Sequence, residues 1–388
     1  MPASNPPPGL PGAHAHRVIF IDLARALAAV FMVYGHAIDA LLAPEYKTGL
    51  WHDAWQFQRG LTSALFLMLS GFAFSVATGR HWTSHTRMSA SWWRRVRRFA
   101  SFVVLGYLLH FPAGRLSEVK YAAEPQWRSF YAVDVLQLIG VAFILVQCLL
   151  LVVKSRRLFT QAALVLSALA IALTPLMWNT DWSRWLPMWL WAYLSPVYGP
   201  DQPLFPLFPW SAFILVGAGL GQIYARWGGA HLSDFTMRAL VAPGLILVGG
   251  GYAAGWYPHP MFATGARAVL EVDMIIRIGA CFLILAAIAT ASERMTRLPH
   301  VFSAVAQETL LIYFIHLCII YGSVWSSGLL QAFGPTLDPR GMFGVVVMLV
   351  AAMAGMAAWW NWLKHARPRA AFWVGRAAVV VLLGGVLF

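Results

Sequence analysis

Residues 19–43 read IFIDLARALAAVFMVYGHAIDALLA, an apolar stretch that nevertheless carries several ionisable side chains. A transmembrane helix needs about 20 mostly apolar residues, and this stretch is long enough. Its ionisable residues are Asp22, Arg25, His36 and Asp39. Because an ionisable group at membrane depth costs several kcal/mol, each is a candidate functional residue. The stretch therefore predicts a membrane helix that carries part of a functional site.

The chain as a whole has the composition of a membrane protein. Of its 388 residues, 60% are hydrophobic and only 11% are charged, whereas soluble proteins have about 25% charged residues. The net charge is +13. In a soluble protein this excess would suggest a nucleic-acid partner, but in a membrane protein it is expected of cytoplasmic loops. We therefore expect no nucleic-acid partner.

Apolar stretches of suitable length predict an all-α, polytopic bundle of about eleven transmembrane helices. They fall at 19–43, 61–79, 99–112, 133–153, 158–177, 209–225, 239–257, 268–290, 303–327, 341–363 and 370–388. Most Lys and Arg residues lie in alternate loops, which places the N-terminus in the cytoplasm and the C-terminus outside. We expect residues 1–16 to be a disordered cytoplasmic segment without a cleavable signal, and residues 17–388 to form one transmembrane domain.

The four ionisable residues of the first span share one helical face, called here the polar stripe. At 100° per residue they lie within an arc of about 100°, and Arg25 and His36 are about 16 Å apart along the axis. Arg25 therefore lies towards the cytoplasm and His36 in the outer half of the membrane. Asp22 and Arg25 also suit an anchoring ion pair, and His36 also suits a hydrogen bond between helices.

Two features are predicted near the cytoplasmic side. Ser70, followed by Gly71 in the second span, suits either a close helix contact or an opening beside a ligand. An arginine cluster precedes the third span and consists of Arg94, Arg95, Arg97 and Arg98. It suits a topology signal or contacts to lipid headgroups, and equally the phosphates of a nucleotide-containing donor.

Other polar residues are predicted within the ninth span or in the outer parts of other spans. They are Glu271, beside an expected Asp273–Arg277 ion pair, His110, Tyr313, His316 and Trp210. Each suits either a polar bridge between helices or contact with a polar acceptor.

Five segments together resemble the integral-membrane acyltransferase 3 superfamily, and most closely the bacterial relatives of heparan-α-glucosaminide N-acetyltransferase. In the order of that family they are IDLARALAAVFMVYGH, LFLMLSGFAF, VDVLQLIGVAF, PLFPWSAFILVGAGLG and ETLLIYFIHLCII. Two positions depart from the pattern: Ala26 stands where glycine usually follows the arginine, and Asp134 replaces a usual glycine.

The resemblance implies transfer of an acyl group, usually acetyl, from cytoplasmic acyl-CoA to a hydroxyl or amine of an extracytoplasmic sugar, glycan or glycolipid. It implies a bacterial inner-membrane protein, with no metal and with a homo-oligomer as an open alternative. His36 is the expected general base, because histidine titrates near neutrality, and Asp39 is expected to orient it. Arg25, held by Asp22, would position the donor together with Ser70 and the arginine cluster. The expected acceptor-binding residues are Glu271, His316, Tyr313, His110 and Trp210.

Two other classes of function remain open from the sequence. A secondary transporter or lipid-linked glycan flippase would use the same buried charges as a proton relay. A structural subunit would use them only to fix helix packing. The two halves of the chain show no internal repeat and no paired Gly- or Pro-broken helices, which disfavours a transporter.

Overall fold

The computed structural model describes residues 18–198, 204–227, 231–256, 266–323 and 325–387. In this part of the chain the regular structure is helical, with two isolated β-bridges. The longer helices are α1 (Ile19–Leu41), α2 (Gly49–Arg80), α3 (Ala90–Leu109), α4 (Val135–Val152), α5 (Arg156–Ala172), α6 (Leu207–Trp227), α7 (Ala242–Trp256), α8 (Ala266–Ser292), α9 (His300–Gln307), α10 (Thr309–Tyr321), α11 (Pro339–Ala366) and α12 (Pro368–Leu387). Shorter helical turns are Pro44–Tyr46, Trp82–His85, Leu116–Tyr121, Glu124–Tyr131, Thr174–Asn179, Trp182–Arg184, Met188–Trp191, Leu232–Phe235, Thr236–Val241 and Leu329–Phe333.

Eight helical segments in the described residues are long and apolar enough to cross a membrane. They lie in α1, α2, α4, α6, α8, α11, α12 and the stretch Leu232–Ala254. The expected all-α membrane bundle is therefore confirmed. The predicted spans at 99–112 and 158–177 fall on α3 and α5. The helix α3 opens with the arginine cluster and α5 has 17 residues, so neither is among the eight segments that are both long and apolar enough. The count of eleven transmembrane helices therefore stays a prediction.

The predicted span at 303–327 is broken rather than straight. Helices α9 and α10 meet at a bend of 77° and count as a ninth crossing if they form one span. Glu308 lies at the bend and is the C-cap of α9 and the N-cap of α10. The break sets α9 apart as a separate element beside α1 and α11.

Helix α1 lies between two apolar clusters. One face, which includes Ala24 and Ala28, packs into a cluster built largely by α2, α4, α6 and α8. Another face, which includes Val33 and Ala37, packs into a cluster with α9, α10 and α11. At 100° per residue the polar stripe falls at the junction of these two faces. The fold therefore places the stripe along the seam between the two clusters.

Helices α2 and α6 pack with their backbones in contact. A Cβ atom added at Gly71 would lie 2.0 Å from the carbonyl oxygen of Ile214, and one at Gly217 would lie 1.9 Å from that of Met68. Only glycine permits such an approach. The neighbouring Ser70 hydroxyl donates to the Phe66 carbonyl of its own helix at 2.8 Å. Of the two interpretations of the Ser70–Gly71 pair, the structure supports a close helix contact at Gly71.

Candidate functional site

His36 lies at the centre of a polar cluster in the C-terminal half of α1. Its Nδ1 atom is 3.2 Å from the Tyr321 hydroxyl, and that hydroxyl donates to the His36 carbonyl oxygen at 3.4 Å. A hydroxyl that donates its proton to the carbonyl can accept the Nδ1–H of the ring. Because a neutral imidazole carries one proton, Nε2 of His36 then presents a lone pair. The geometry therefore suits proton abstraction by Nε2.

A second histidine, His316, faces His36 from α10. The two ring centroids are 5.3 Å apart, and His316 is fully buried. Its Nδ1 atom lies 2.7 Å from the Ile312 carbonyl oxygen, which can only accept, so Nδ1 carries the proton and Nε2 is an acceptor. Among the described residues this Nε2 has no hydrogen-bond partner. Since an unsatisfied buried polar atom costs about 1–3 kcal/mol, it is well suited to accept a hydrogen bond from a bound ligand.

Asp134, at the N-terminus of α4, connects further polar residues to this histidine pair. Its Oδ2 atom accepts hydrogen bonds from the Tyr313 hydroxyl at 3.0 Å and from His110 Nε2 at 3.2 Å. Its Oδ1 atom accepts from the Val135 backbone N–H at 2.7 Å. The Tyr313 ring in turn lies 5.7 Å from the His316 ring. Hydrogen bonds thus join His110 and Tyr313 through Asp134, and ring contacts continue from Tyr313 to the two imidazoles.

The structure places three of the predicted acceptor-binding residues in the cluster around His36: one contacts His36 directly, and the other two contact Asp134. These are His316, Tyr313 and His110. Two members of the cluster were not among the predicted site residues. Asp134 stood out in the sequence only as a departure from the family pattern, and Tyr321 carried no distinguishing signal.

Asp39 lies one turn beyond His36, and its carboxylate pairs with another group. Its Oδ2 atom forms a 2.8 Å ion pair with Arg59 of α2, and its backbone carbonyl accepts from Lys47 at 2.7 Å. The group that lies at Nδ1 of His36 is the Tyr321 hydroxyl, and the orienting role of Asp39 stays a prediction. Asp39 and Arg59 instead connect α1 to α2 at the edge of the cluster.

Arg25, in the N-terminal half of α1, contacts the bend between α9 and α10. Its Nη2 atom donates to the Thr309 hydroxyl at 3.2 Å. Asp22 lies in the first turn of the same helix and is half-buried. Arg25 and His36 thus contact the two ends of α10, three turns apart on α1.

The arginine cluster packs against α2. Arg95 Nη1 donates to the Thr78 hydroxyl at 2.6 Å, and its guanidinium lies 5.2 Å from the Phe74 ring centroid. Burial, and next the positive charge of Arg95, lower the pKa of the neighbouring His85 to about 4. The other members, Arg94, Arg97 and Arg98, are exposed. Arg95 therefore has a structural role at this surface, and the other three are accessible to a ligand.

The remaining predicted residues lie at other positions. Trp210 is buried, and its ring centroid lies 4.8 Å from that of the tilted Phe205 ring. Its indole N–H has no partner among the described residues. The Phe205 backbone N–H donates to the Val133 carbonyl at 2.8 Å, next to Asp134 in the chain. Asp273 and Arg277 form the expected ion pair at 2.5 Å.

Glu271 lies in α8, but its side chain is outside the part of the chain that the structure describes. Among the described residues, no group of three or more His, Cys, Asp and Glu side chains could hold a metal ion.

A family comparison identifies the relatives of this chain. The model for heparan-alpha-glucosaminide N-acetyltransferase, catalytic, matches residues 17–252, which is more than half of the sequence. The chain belongs to this family. No curated protein and no solved structure matches it.

Membership in the heparan-α-glucosaminide N-acetyltransferase family makes the protein a multi-pass membrane acetyltransferase. The matched residues include His36, His110 and Asp134 of the polar cluster. Tyr313, His316 and Tyr321 lie beyond the match and reach the cluster through the fold. The site therefore combines side chains from the matched residues 17–252 with side chains from the segment that follows them.

Proposed function

We propose that the protein transfers an acetyl group from cytoplasmic acetyl-CoA to a hydroxyl or amine of an extracytoplasmic sugar, glycan or glycolipid in a bacterial inner membrane. Family membership supports acetyl transfer. The observation that carries the mechanism is the pair of half-buried His36 and buried His316. Their Nδ1 atoms face the Tyr321 hydroxyl and the Ile312 carbonyl oxygen, so that both Nε2 atoms can act as acceptors. Such a pair can hold an acceptor hydroxyl or amine and remove its proton.

In the proposed direct reaction, Nε2 of His36 accepts the proton of the acceptor hydroxyl or amine as its oxygen or nitrogen attacks the thioester carbonyl. A new C–O or C–N bond forms and the C–S bond breaks. The CoA sulfur leaves with the bonding electrons and takes the proton from His36, which restores the neutral imidazole. A two-step route through an acetylated His36 uses the same residues and leaves acetyl on the protein after donor is added alone.

The other predicted residues support these steps from two sides. His316, Tyr313, His110 and Trp210 would contact the acceptor, and Glu271 completes the predicted acceptor set. Arg25, held by Asp22, would position the donor. Arg94, Arg97 and Arg98 are accessible to the donor from the cytoplasmic side, and Ser70 would lie beside the donor.

The test uses full-length protein in detergent and acetyl-CoA labelled in the acetyl group. We expect wild type to bind the donor and to hydrolyse it slowly when no acceptor is present. His36→Ala should bind CoA as wild type does and lose hydrolysis and transfer by at least about 100-fold, as expected for loss of a general base. Wild-type transfer rates in His36→Ala would disprove the mechanism. Failure of wild-type protein to bind or hydrolyse acetyl-CoA would favour the transporter class.

A further inference from the structure

An open cavity of about 950 Å³ lies between α9 and α11, at the cytoplasmic end in the predicted orientation. The polar side chains that line the cavity are Arg297, His300, Ser303, Gln307, Asn361 and His365. Its volume is in the range of about 300–1,000 Å³ that is typical of small-molecule sites. We propose that this cavity binds the phosphate-bearing nucleotide part of the acyl donor. The inference rests on the proposed function and names where its donor enters.

The lining has the chemistry of a nucleotide site. Arg297 is exposed, and its guanidinium can bind phosphate through two parallel hydrogen bonds. His300 and Ser303 belong to the first turn of α9, and a helix N-terminus favours an anion. The lining residues include no Asp or Glu. The hydroxyl and amide groups of Ser303, Gln307 and Asn361 suit a ribose and a base better than they suit a lipid tail.

Glu308 lies next to the cavity, because it follows the lining residue Gln307 and contacts the lining residue Asn361. This buried carboxylate accepts from Lys364 Nζ at 2.5 Å and from Asn361 Nδ2 at 3.2 Å, so its charge is neutralised beside the cavity. The next residue, Thr309, accepts the hydrogen bond from Arg25 at 3.2 Å. The cavity lining is therefore separated from Arg25 by two adjacent residues at the α9–α10 bend.

The pantetheine arm of the donor is long enough to cover the separation of Arg25 and His36. Arg25 and His36 are about 16 Å apart along α1, and the pantetheine arm of CoA is roughly 15–20 Å long when its bonds are added up. A nucleotide held in the cavity, beside the bend that Arg25 contacts, would direct the arm along the polar stripe from Arg25 towards His36 and His316. The arginine cluster lies at the start of α3 and packs against α2, whereas the cavity adjoins the bend that Arg25 contacts.

The test compares two arginines in the same loop by measuring CoA binding to purified full-length protein by calorimetry. Arg297 lines the cavity, whereas Arg294 is exposed and is not among the lining residues. We expect Arg297→Ala to weaken CoA binding by about 10-fold, as for loss of a charge-assisted hydrogen bond. Arg294→Ala, which removes the same charge from the same loop, should change the affinity by less than about two-fold. Ser303→Trp, which fills the cavity without changing charge, should also weaken binding.

Each alternative result has a distinct meaning. Wild-type binding in both Arg297→Ala and Ser303→Trp would overturn the cavity proposal and leave the acetyl-transfer proposal standing. If Arg297→Ala or Ser303→Trp binds CoA as wild type does but binds phosphatidylglycerol more weakly in detergent solution, the cavity belongs to a lipid headgroup. That result would also overturn the cavity proposal. If wild type binds no CoA, the proposed function fails and the inference fails with it.

Discussion

His36 depends on one hydroxyl for the orientation that its chemistry needs. Tyr321 contacts both the Nδ1 atom and the backbone carbonyl of His36, so it can hold the ring and select the tautomer together. Tyr321 is therefore a positioning residue, because it contacts His36 on the side away from the proposed proton transfer at Nε2.

Replacing Tyr321 with phenylalanine should therefore separate rate from affinity. A net hydrogen bond contributes about 1 kcal/mol, so we expect kcat for acetyl transfer in Tyr321→Phe to fall by roughly five- to ten-fold. The Kd for CoA should stay at the wild-type value, because the phosphates bind elsewhere. The same change at the exposed Tyr252 is the matched control and should alter neither quantity. An unchanged kcat in Tyr321→Phe would remove Tyr321 from the mechanism.

The sequence shows some of these site residues more readily than others. His36, His316 and Tyr313 are visible because polar groups are costly within apolar runs. Asp134 and Tyr321 stand at helix ends, where an aspartate cap and an interfacial tyrosine are ordinary, so neither is conspicuous. Their role appears only when the ends of α4 and α10 are brought together by the fold.

Among the helices, the α2–α6 crossing depends most directly on single residues. The Cβ position of Gly217 is occupied by the backbone of Met68, and backbone atoms cannot move aside as the end of a long side chain can. The crossing also holds α2, which carries Arg59, in the apolar cluster that packs against one face of α1.

Gly217→Ala should therefore destabilise the protein. We expect a loss of about 1–3 kcal/mol, the range for inserting a methyl group into a closely packed core, measured as a lower thermal unfolding midpoint in detergent. Gly355→Ala is the matched control, because nothing lies within 4 Å of an added Cβ there. It should leave the midpoint unchanged or raise it, since alanine favours helix over glycine. Equal midpoints for wild type and Gly217→Ala would contradict the packing described.

Helix positions were predicted far better than helix breaks. Length and hydropathy place α1, α2, α4 and α6 because a membrane helix must be apolar throughout. The bend at Glu308 is different, since the groups that stabilise the buried carboxylate, Lys364 and Asn361, come from α11. Such a partnership between distant segments has no periodic signature, so the sequence predicts a span at 303–327 but not the bend within it.

At the scale of the whole molecule, the two proposed substrates approach from opposite ends of α1. Arg25 and the cavity lie at one end, and His36 with Asp134 and Tyr321 lies towards the other. The basic loops predict that the first end faces the cytoplasm. This orientation matters for function because acetyl-CoA is a cytoplasmic metabolite in the proposed reaction, so the cavity must open on that side.

Orientation can be tested with single cysteines in a protein whose Cys148, Cys281 and Cys318 have been replaced by alanine. Lys120 lies between α3 and α4 and Arg157 lies at the start of α5, and both are exposed. In intact cells with a permeabilised outer membrane, a membrane-impermeant maleimide should label Lys120→Cys, whereas Arg157→Cys should react only after lysis. The control is retained acetyl transfer by both variants. The opposite labelling would place the cavity on the side without acetyl-CoA, so the direction of transfer proposed here would be wrong even if His36 proved essential.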